Sequence, residues 1–216
     1  MSGLAAALDT VRARIAAAAR RAGRDPADVT LVAATKTVPA ERVAEAVALG
    51  VTDIGENRAQ ELVDKADALA GMTTAPVCWH FLGRLQRNKV RSLASRVTWW
   101  QSVDREALGA TIARHAPEAR VLVEVNLAGE PQKGGCSPAD TGRLTEALRS
   151  LGLRVEGLMT IPPLDDEPRR WFAALRELGA ELGLRHLSMG MTDDYEDGVE
   201  EGATMVRIGR ALFGPR

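Results

Sequence analysis

Eight short apolar runs, each separated from the next by one helix-patterned segment, constrain the fold of this 216-residue chain more than any other feature. The runs are LVAATK (31–36), TDIGE (52–56), VCWHFLG (77–83), RVTWWQSV (96–103), ARVLVEVNL (119–127), RVEGLMTI (154–161), RHLSMG (185–190) and ATMVRIG (203–209). Short runs with little polar alternation are the pattern of parallel strands buried on both faces. Between them the spacing predicts a helix with Pro39 in its first turn and Gly50 after its end. Further helices are expected near 57–70, near 85–94, from a cap at Asp104 to about His115, from Pro138, near 166–182, and after a cap at Thr192. A leading helix over 4–22 puts Leu4, Leu8, Val11 and Ile15 on one stripe. Eight βα units behind an extra N-terminal helix predict an α/β fold, a single (β/α)8 TIM barrel, with a doubly wound open sheet as the alternative. The chain is shorter than the ~250 residues typical of that barrel, so its connections must be tight. No Pro- or Ser-rich linker divides it, and one domain over residues 1–216 is expected.

The charge balance, −1 from 28 basic and 29 acidic residues, argues against a nucleic-acid binder. No uncharged run reaches the ~18 residues of a membrane span, and no signal peptide is legible. Cys78 and Cys136 form neither a disulfide framework nor a metal-ligand spacing, and His80, His115 and His186 are scattered. A reduced, cytoplasmic protein is expected, and no exposed apolar stripe demands a partner copy, so a monomer is expected as well. Only four of the 28 basic residues are lysines, Lys36, Lys65, Lys89 and Lys133. Lysine can lose its proton and condense with a carbonyl, whereas arginine cannot, so each retained lysine invites a question.

In a barrel of this kind the chemistry lies at the C-terminal ends of the strands, and phosphate is often held after the seventh and eighth. Those positions are Lys36, Glu56 with Asn57, His80 with Gly83, Glu124 with Asn126, Met159, Ser188 with Gly190, and Arg207 with Gly209. A lysine desolvated at a strand end is a nucleophile able to form a Schiff base with an aldehyde; it reads equally well as a surface lysine. SMGMT (188–192) and RIGRALFG (207–214) join Gly to a helix start, where free amides attract an anion, although such glycines also serve plain turns. Arg207 reads as a permanent cation facing a ligand or as a rim ion pair with Glu124. His80, between Trp79 and Phe81, reads as a hydrogen-bonded core residue or as part of the site. EPQKGGCSP (130–138) reads as an exposed basic loop. Neither GxxxxGK nor GxGxxG is present, so a small phosphorylated ligand is favoured over a nucleotide.

Six ordered motifs go further: ATKTVP (34–39), IGENRAQE (54–61), WHFLGRLQRNK (79–89), GLMTIP (157–162), SMGMTDD (188–194) and VRIGRALFG (206–214). Together they span nearly the whole chain, which strongly resembles the pyridoxal phosphate homeostasis protein family. The resemblance implies a barrel similar to the N-terminal domain of bacterial alanine racemase, with pyridoxal 5′-phosphate at its mouth. It implies that Lys36 forms the Schiff base, that Ser188 and the amides of Gly209 and Arg210 bind the phosphate, and that Arg207 faces the pyridine nitrogen. It places Asn57 near the ring, with His80 and Met159 lining the same mouth. Arg210 departs from the Thr or Ser of many relatives, exchanging a hydroxyl for a guanidinium. The implied role is a cofactor carrier or reservoir, with apo forms of pyridoxal-phosphate-dependent enzymes as possible partners. Most catalysis with this cofactor uses a protonated ring nitrogen as electron sink, commonly beside a carboxylate, and Arg207 cannot accept that proton. The chain ends at Arg216, so the second domain that gives a racemase its opposing tyrosine is expected to be missing, and the only tyrosine is Tyr195. An amino-acid racemase of the same fold, or a phosphosugar barrel using Lys36 as an aldolase does, are the alternatives.

Overall fold

The computed structural model describes residues 3–215. Its strands are β1 (Thr30–Ala34), β2 (Asp53–Glu56), β3 (Cys78–Phe81), β4 (Val97–Val103), β5 (Arg120–Glu124), β6 (Arg154–Met159), β7 (His186–Met191) and β8 (Met205–Ile208). Each pairs in parallel with its successor, and β8 returns to β1 with Val32 opposite Arg207, closing the barrel. The open-sheet alternative is thereby removed. The helices are α1 (Gly3–Arg21), α2 (Ala40–Ala48), α3 (Ala59–Ala70), α4 (Val90–Leu93), α5 (Glu106–His115), α6 (Pro138–Ser150), α7 (Pro168–Glu181), α8 (Tyr195–Glu200) and α9 (Arg210–Phe213). None among the described residues is long and apolar enough to cross a membrane.

The leading helix α1 buries the expected stripe of Leu4, Leu8, Val11 and Ile15. Arg14 and Arg21 pair with Glu196 and Glu200 of α8, and Arg24 donates to the carbonyls of Val199 and Ala203 at 2.6 and 2.9 Å. These contacts fasten the leader beside the last two strands. Ser137 caps α6 by accepting from the Asp140 amide at 3.1 Å, with Pro138 in the first turn as its fixed φ favours.

Three local expectations are corrected. The segment 85–94 is a 3₁₀ turn (Arg87–Lys89) followed by the four-residue α4, in keeping with the weak helix preference of Asn88 and Ser92. Asp104 does not cap α5, because Arg105 takes its carboxylate in an ion pair. Thr192 does not cap α8 either; the N-cap residue is Asp194, whose Oδ1 accepts from the Met191 amide at 2.6 Å.

Strand side chains alternate between two cores. Ile54, Val121, Val123, Val206 and Ile208 face outward against the helices in one continuous apolar layer. Inside the barrel a smaller cluster of Val32, Trp99, Leu122, Met159 and Met205 fills the middle. Polar residues flank that cluster: Gln101, Ser188 and Arg207 are buried at 0, 0 and 4% exposure. A barrel stabilised only by packing would place apolar side chains there.

Candidate functional site

Lys36 keeps the strand parity of Val32 and Ala34 but lies two residues past β1, on an exposed turn. The next residue, Thr37, has φ +64°, a left-handed conformation that a β-branched residue rarely adopts. The turn is held from beneath. Glu61 accepts from the Thr37 amide at 3.0 Å, and the buried Lys65 donates to the Thr35 carbonyl at 2.6 Å. Lys65 also pairs with the fully buried Glu56, which accepts from the Thr35 hydroxyl at 2.6 Å. Lys65 is thus committed to structure, while the Lys36 amine has no hydrogen-bond or ion-pair partner among the described residues.

Lys36 opens onto a cavity of about 350 Å³ that also meets Asn57, Thr192, Arg207, Gly209 and Arg210, within the usual size of a small-ligand site. Arg207 forms its inner wall. Its Nη1 donates to Ser188 Oγ at 2.7 Å and its Nη2 to the Thr160 carbonyl at 2.8 Å. Burial pushes its pKa down to about 10, opposed by Asp194 and Glu124, so it remains cationic at neutral pH. No ion pair joins Arg207 to Glu124 within the described residues. Arg210 is exposed and turns to pair with Asp193 on the rim, leaving its backbone at the cavity. The α9 helix starts there, where the first amides lack intrahelical partners.

Three expected site residues lie elsewhere. Ser188 is fully buried and its hydroxyl is spent between Arg207 and Gln101, to which it donates at 2.6 Å. Met159 belongs to the apolar cluster inside the barrel. His80 is a core histidine, 0% exposed, with Nε2 3.0 Å from Asp53 Oδ1 and Nδ1 2.7 Å from Gln101 Nε2. The strand positions of all three point into the closed barrel, below the level of the cavity.

Two residues missed in the sequence take their place. Thr192, which appeared suited to a helix cap, lines the cavity. Gln101 sits beneath Arg207 and Ser188; its signal was an amide of barrel-facing parity, two residues after Trp99. The glycines near the mouth answer to packing. Gly190 has φ +90°, and an added Cβ would lie 2.9 Å from Tyr195 Cα. A Cβ on Gly83 would lie 2.1 Å from the Asn57 carbonyl oxygen.

Beside the first cavity, and sharing Asn57 with it, a second of about 260 Å³ meets Glu124, Arg84 and Lys133. Burial, helped by Asp104, raises the Glu124 carboxyl to about 7 against the pull of Arg207 and Arg84. Lys133 reaches back to Glu130 and to the Pro162 carbonyl at 2.9 Å, so the 130–136 loop is anchored to the rim. Cys78 and Cys136 are free thiols.

The donor set fits a small phosphorylated carbonyl compound: an uncommitted primary amine, a buried guanidinium, a hydroxyl and a helix start converge on one cavity. Comparison with known proteins agrees. The family described as alanine racemase, N-terminal domain, matches residues 7–216. A pyridoxal phosphate homeostasis protein of Pseudomonas aeruginosa is 46% identical over 226 residues, covering 100% of this chain and 97% of its own. One from Aquifex aeolicus is 44% identical over 223 residues, covering 97% and 96%. The solved structure of PipY from Synechococcus elongatus with PLP bound superposes with a TM-score of 0.85 at 34% identity, covering 98% of this chain and all of that one.

Proposed function

Because the chain belongs to the pyridoxal phosphate homeostasis protein family, we propose that it binds pyridoxal 5′-phosphate at the barrel mouth and serves as a carrier or reservoir of that cofactor. The phosphosugar alternative is set aside by the same membership. The observation that carries the reading is the pairing, across one cavity, of an unpartnered Lys36 amine with a buried cationic Arg207.

Pyridoxal phosphate supplies an aldehyde carbon that condenses reversibly with an amine. Lys36 Nζ, on its exposed turn, would be the attachment point. Arg207, with two of its N–H groups already given to Ser188 and Thr160, donates towards the ring nitrogen and does not accept a proton from it. Asn57 flanks the ring. The Thr192 hydroxyl and the backbone of Gly209 and Arg210 would hold the phosphate.

The same arrangement supports holding over turnover. Tyr195 is 1% exposed in α8, its hydroxyl has no partner, and it does not meet the cavity. Racemisation needs a proton removed on one face and returned on the other, and no phenol stands opposite Lys36. We place the protein in the cytoplasm as a monomer whose recipients are apo forms of pyridoxal-phosphate-dependent enzymes. Mixing the loaded protein with such an apoenzyme tests this: recovery of the recipient's activity faster than from an equal amount of pyridoxal phosphate generated by slow release supports transfer, and recovery no faster than release rules out direct delivery.

A further inference from the structure

Beneath the mouth, a line of buried side chains runs to the opposite end of the barrel. Arg207 Nη1 donates to Ser188 Oγ at 2.7 Å, and Ser188 donates to Gln101 Oε1 at 2.6 Å. Gln101 Nε2 lies 2.7 Å from His80 Nδ1, and His80 Nε2 lies 3.0 Å from Asp53 Oδ1. His80, Gln101 and Ser188 are fully buried, so these three do not exchange partners for water without opening the barrel. Asp53 itself borders a cavity of about 460 Å³ between α1 and the starts of β1 and β2.

The ends of the line set the direction of every proton in it. A guanidinium only donates, so Ser188 accepts from Arg207 and has its own proton left for Gln101. With the Gln101 oxygen accepting, its nitrogen faces His80, and Nδ1 must be bare. Asp53 at the far end requires a donor, so Nε2 carries the single imidazole proton. Burial lowers the His80 pKa. Burial alone would raise Asp53, but the His80 hydrogen bond brings it below the usual carboxylate range. Both shifts match a neutral imidazole donating to a carboxylate. Trp99 stacks on the imidazole at 6.0 Å between centroids and 12° between planes, while Met205 Sδ takes a further Gln101 N–H at 3.6 Å.

We propose that Gln101, His80 and Asp53 are positioning residues for the cofactor ring, a one-way hydrogen-bonded column that holds Ser188 and Arg207 so that the remaining guanidinium donors face the cavity. The inference rests on the reading that the mouth takes pyridoxal phosphate. It couples the protonation of a carboxylate on the barrel floor to the orientation of a cation at the mouth. Other charged or titratable groups face the column: Cys78, 3.5 Å from His80 Nε2, Arg120 above the Trp99 ring at 3.7 Å, and at the top Glu124 and Asp194. Asp53, Cys78 and His80 have potential metal-ligand atoms within 4.8 Å of one another. The column gives the first and last of these another task, and burial keeps the Cys78 thiol protonated, its pKa raised to about 11, whereas a metal takes the thiolate.

The test combines ¹⁵N NMR of the histidine rings in cofactor-free protein with the dissociation constant and visible band of added pyridoxal phosphate. Gln101→Glu keeps an acceptor for Ser188 but sets an oxygen against Nδ1, so His80 must protonate there. Gln101→Met breaks the column outright. The expected results are a His80 protonated on Nε2 alone in the wild type, protonation of Nδ1 as well in Gln101→Glu, and retention about tenfold weaker (~1.4 kcal/mol) in both variants with a displaced band. Cys78→Ala keeps wild-type behaviour. A wild-type His80 protonated on Nδ1, or on both nitrogens at neutral pH, overturns the proposal, and this reading needs no variant to fold. Folded Gln101 variants with unchanged retention and band overturn it too, as does added Zn²⁺ that strips the Nε2 proton. If the wild type binds no pyridoxal phosphate, the carrier reading fails instead, and the His80 tautomer still decides the column.

Discussion

Lys65→Met tests how the turn bearing Lys36 is supported. Lys65 has 10% side-chain exposure and faces Glu56, which has none. Its ammonium also satisfies the Thr35 carbonyl at 2.6 Å. Methionine fills nearly the same volume, so the loss is electrical: a buried carboxylate keeps only the Thr35 hydroxyl, and its Oε2 already has no partner. Removing one member of a buried pair costs ~3–5 kcal/mol. At ~2–4 °C per kcal/mol for a chain of this size, the melting point should fall by about 6–20 °C. The double variant Lys65→Met/Glu56→Gln should recover most of that, because no charge is left buried. Urea titrations of the four proteins give the cycle, and borohydride trapping of pyridoxal phosphate reports on Lys36 in the same samples. A loss below about 1 kcal/mol for Lys65→Met, or a double variant no better than the single, would refute the claim that this pair holds the turn.

Lys36→Ala should leave the melting point within about 2 °C of wild type, since an exposed, unpartnered side chain contributes little to stability; circular dichroism melts check this. Thr192→Val should weaken pyridoxal phosphate by about 1.5–3 kcal/mol, the range for a hydrogen bond to a charged group, and leave phosphate-free pyridoxal nearly unchanged. Ser188→Ala should weaken both ligands alike, because its hydroxyl serves Arg207; competition titrations separate the two cases. Glu124 gives a pH signature. Its folded pKa of about 7 lies above the usual 4.5, so the folded state binds the extra proton between those values and this group's contribution to stability falls as pH rises from ~4.5 through ~7. Glu124→Gln should therefore be more stable than wild type at pH 8, by ~2–4 kcal/mol, and level with it at pH 4; denaturant midpoints at both pH values provide the check.

The barrel was legible because parallel strands buried on both faces leave uninterrupted apolar runs, while Pro39, Pro138 and the glycines mark where helices begin and end. The positions of Lys36, Asn57, Arg207, Gly209 and Arg210 around one cavity follow from those strand ends. An uninterrupted apolar run hides its own parity, however, and so the levels inside the barrel were not legible. Ser188 and Thr192 stand four residues apart in one motif, yet the first points below the guanidinium and the second to the rim. His80 and Met159 likewise stand on the expected strands but below the cavity. Competing partners explain the misplaced caps, since Arg105 takes the Asp104 carboxylate and Asp194 serves the turn after β7. The buried Lys65 was indistinguishable from an exposed one until Glu56 and Thr35 were seen to meet it.

In the proposed function, one lysine at the mouth carries pyridoxal phosphate without turning over amino acids. The most direct test is to load the purified protein, add alanine and other L-amino acids, follow D-isomer formation, then reduce with borohydride and map the modified peptide. The account predicts one equivalent of cofactor on the peptide containing Lys36 and no D-isomer above that of Lys36→Ala. Modification confined to Lys65, Lys89 or Lys133, or a turnover in the ordinary enzyme range of ~1–10³ s⁻¹ that disappears with Lys36, would contradict it.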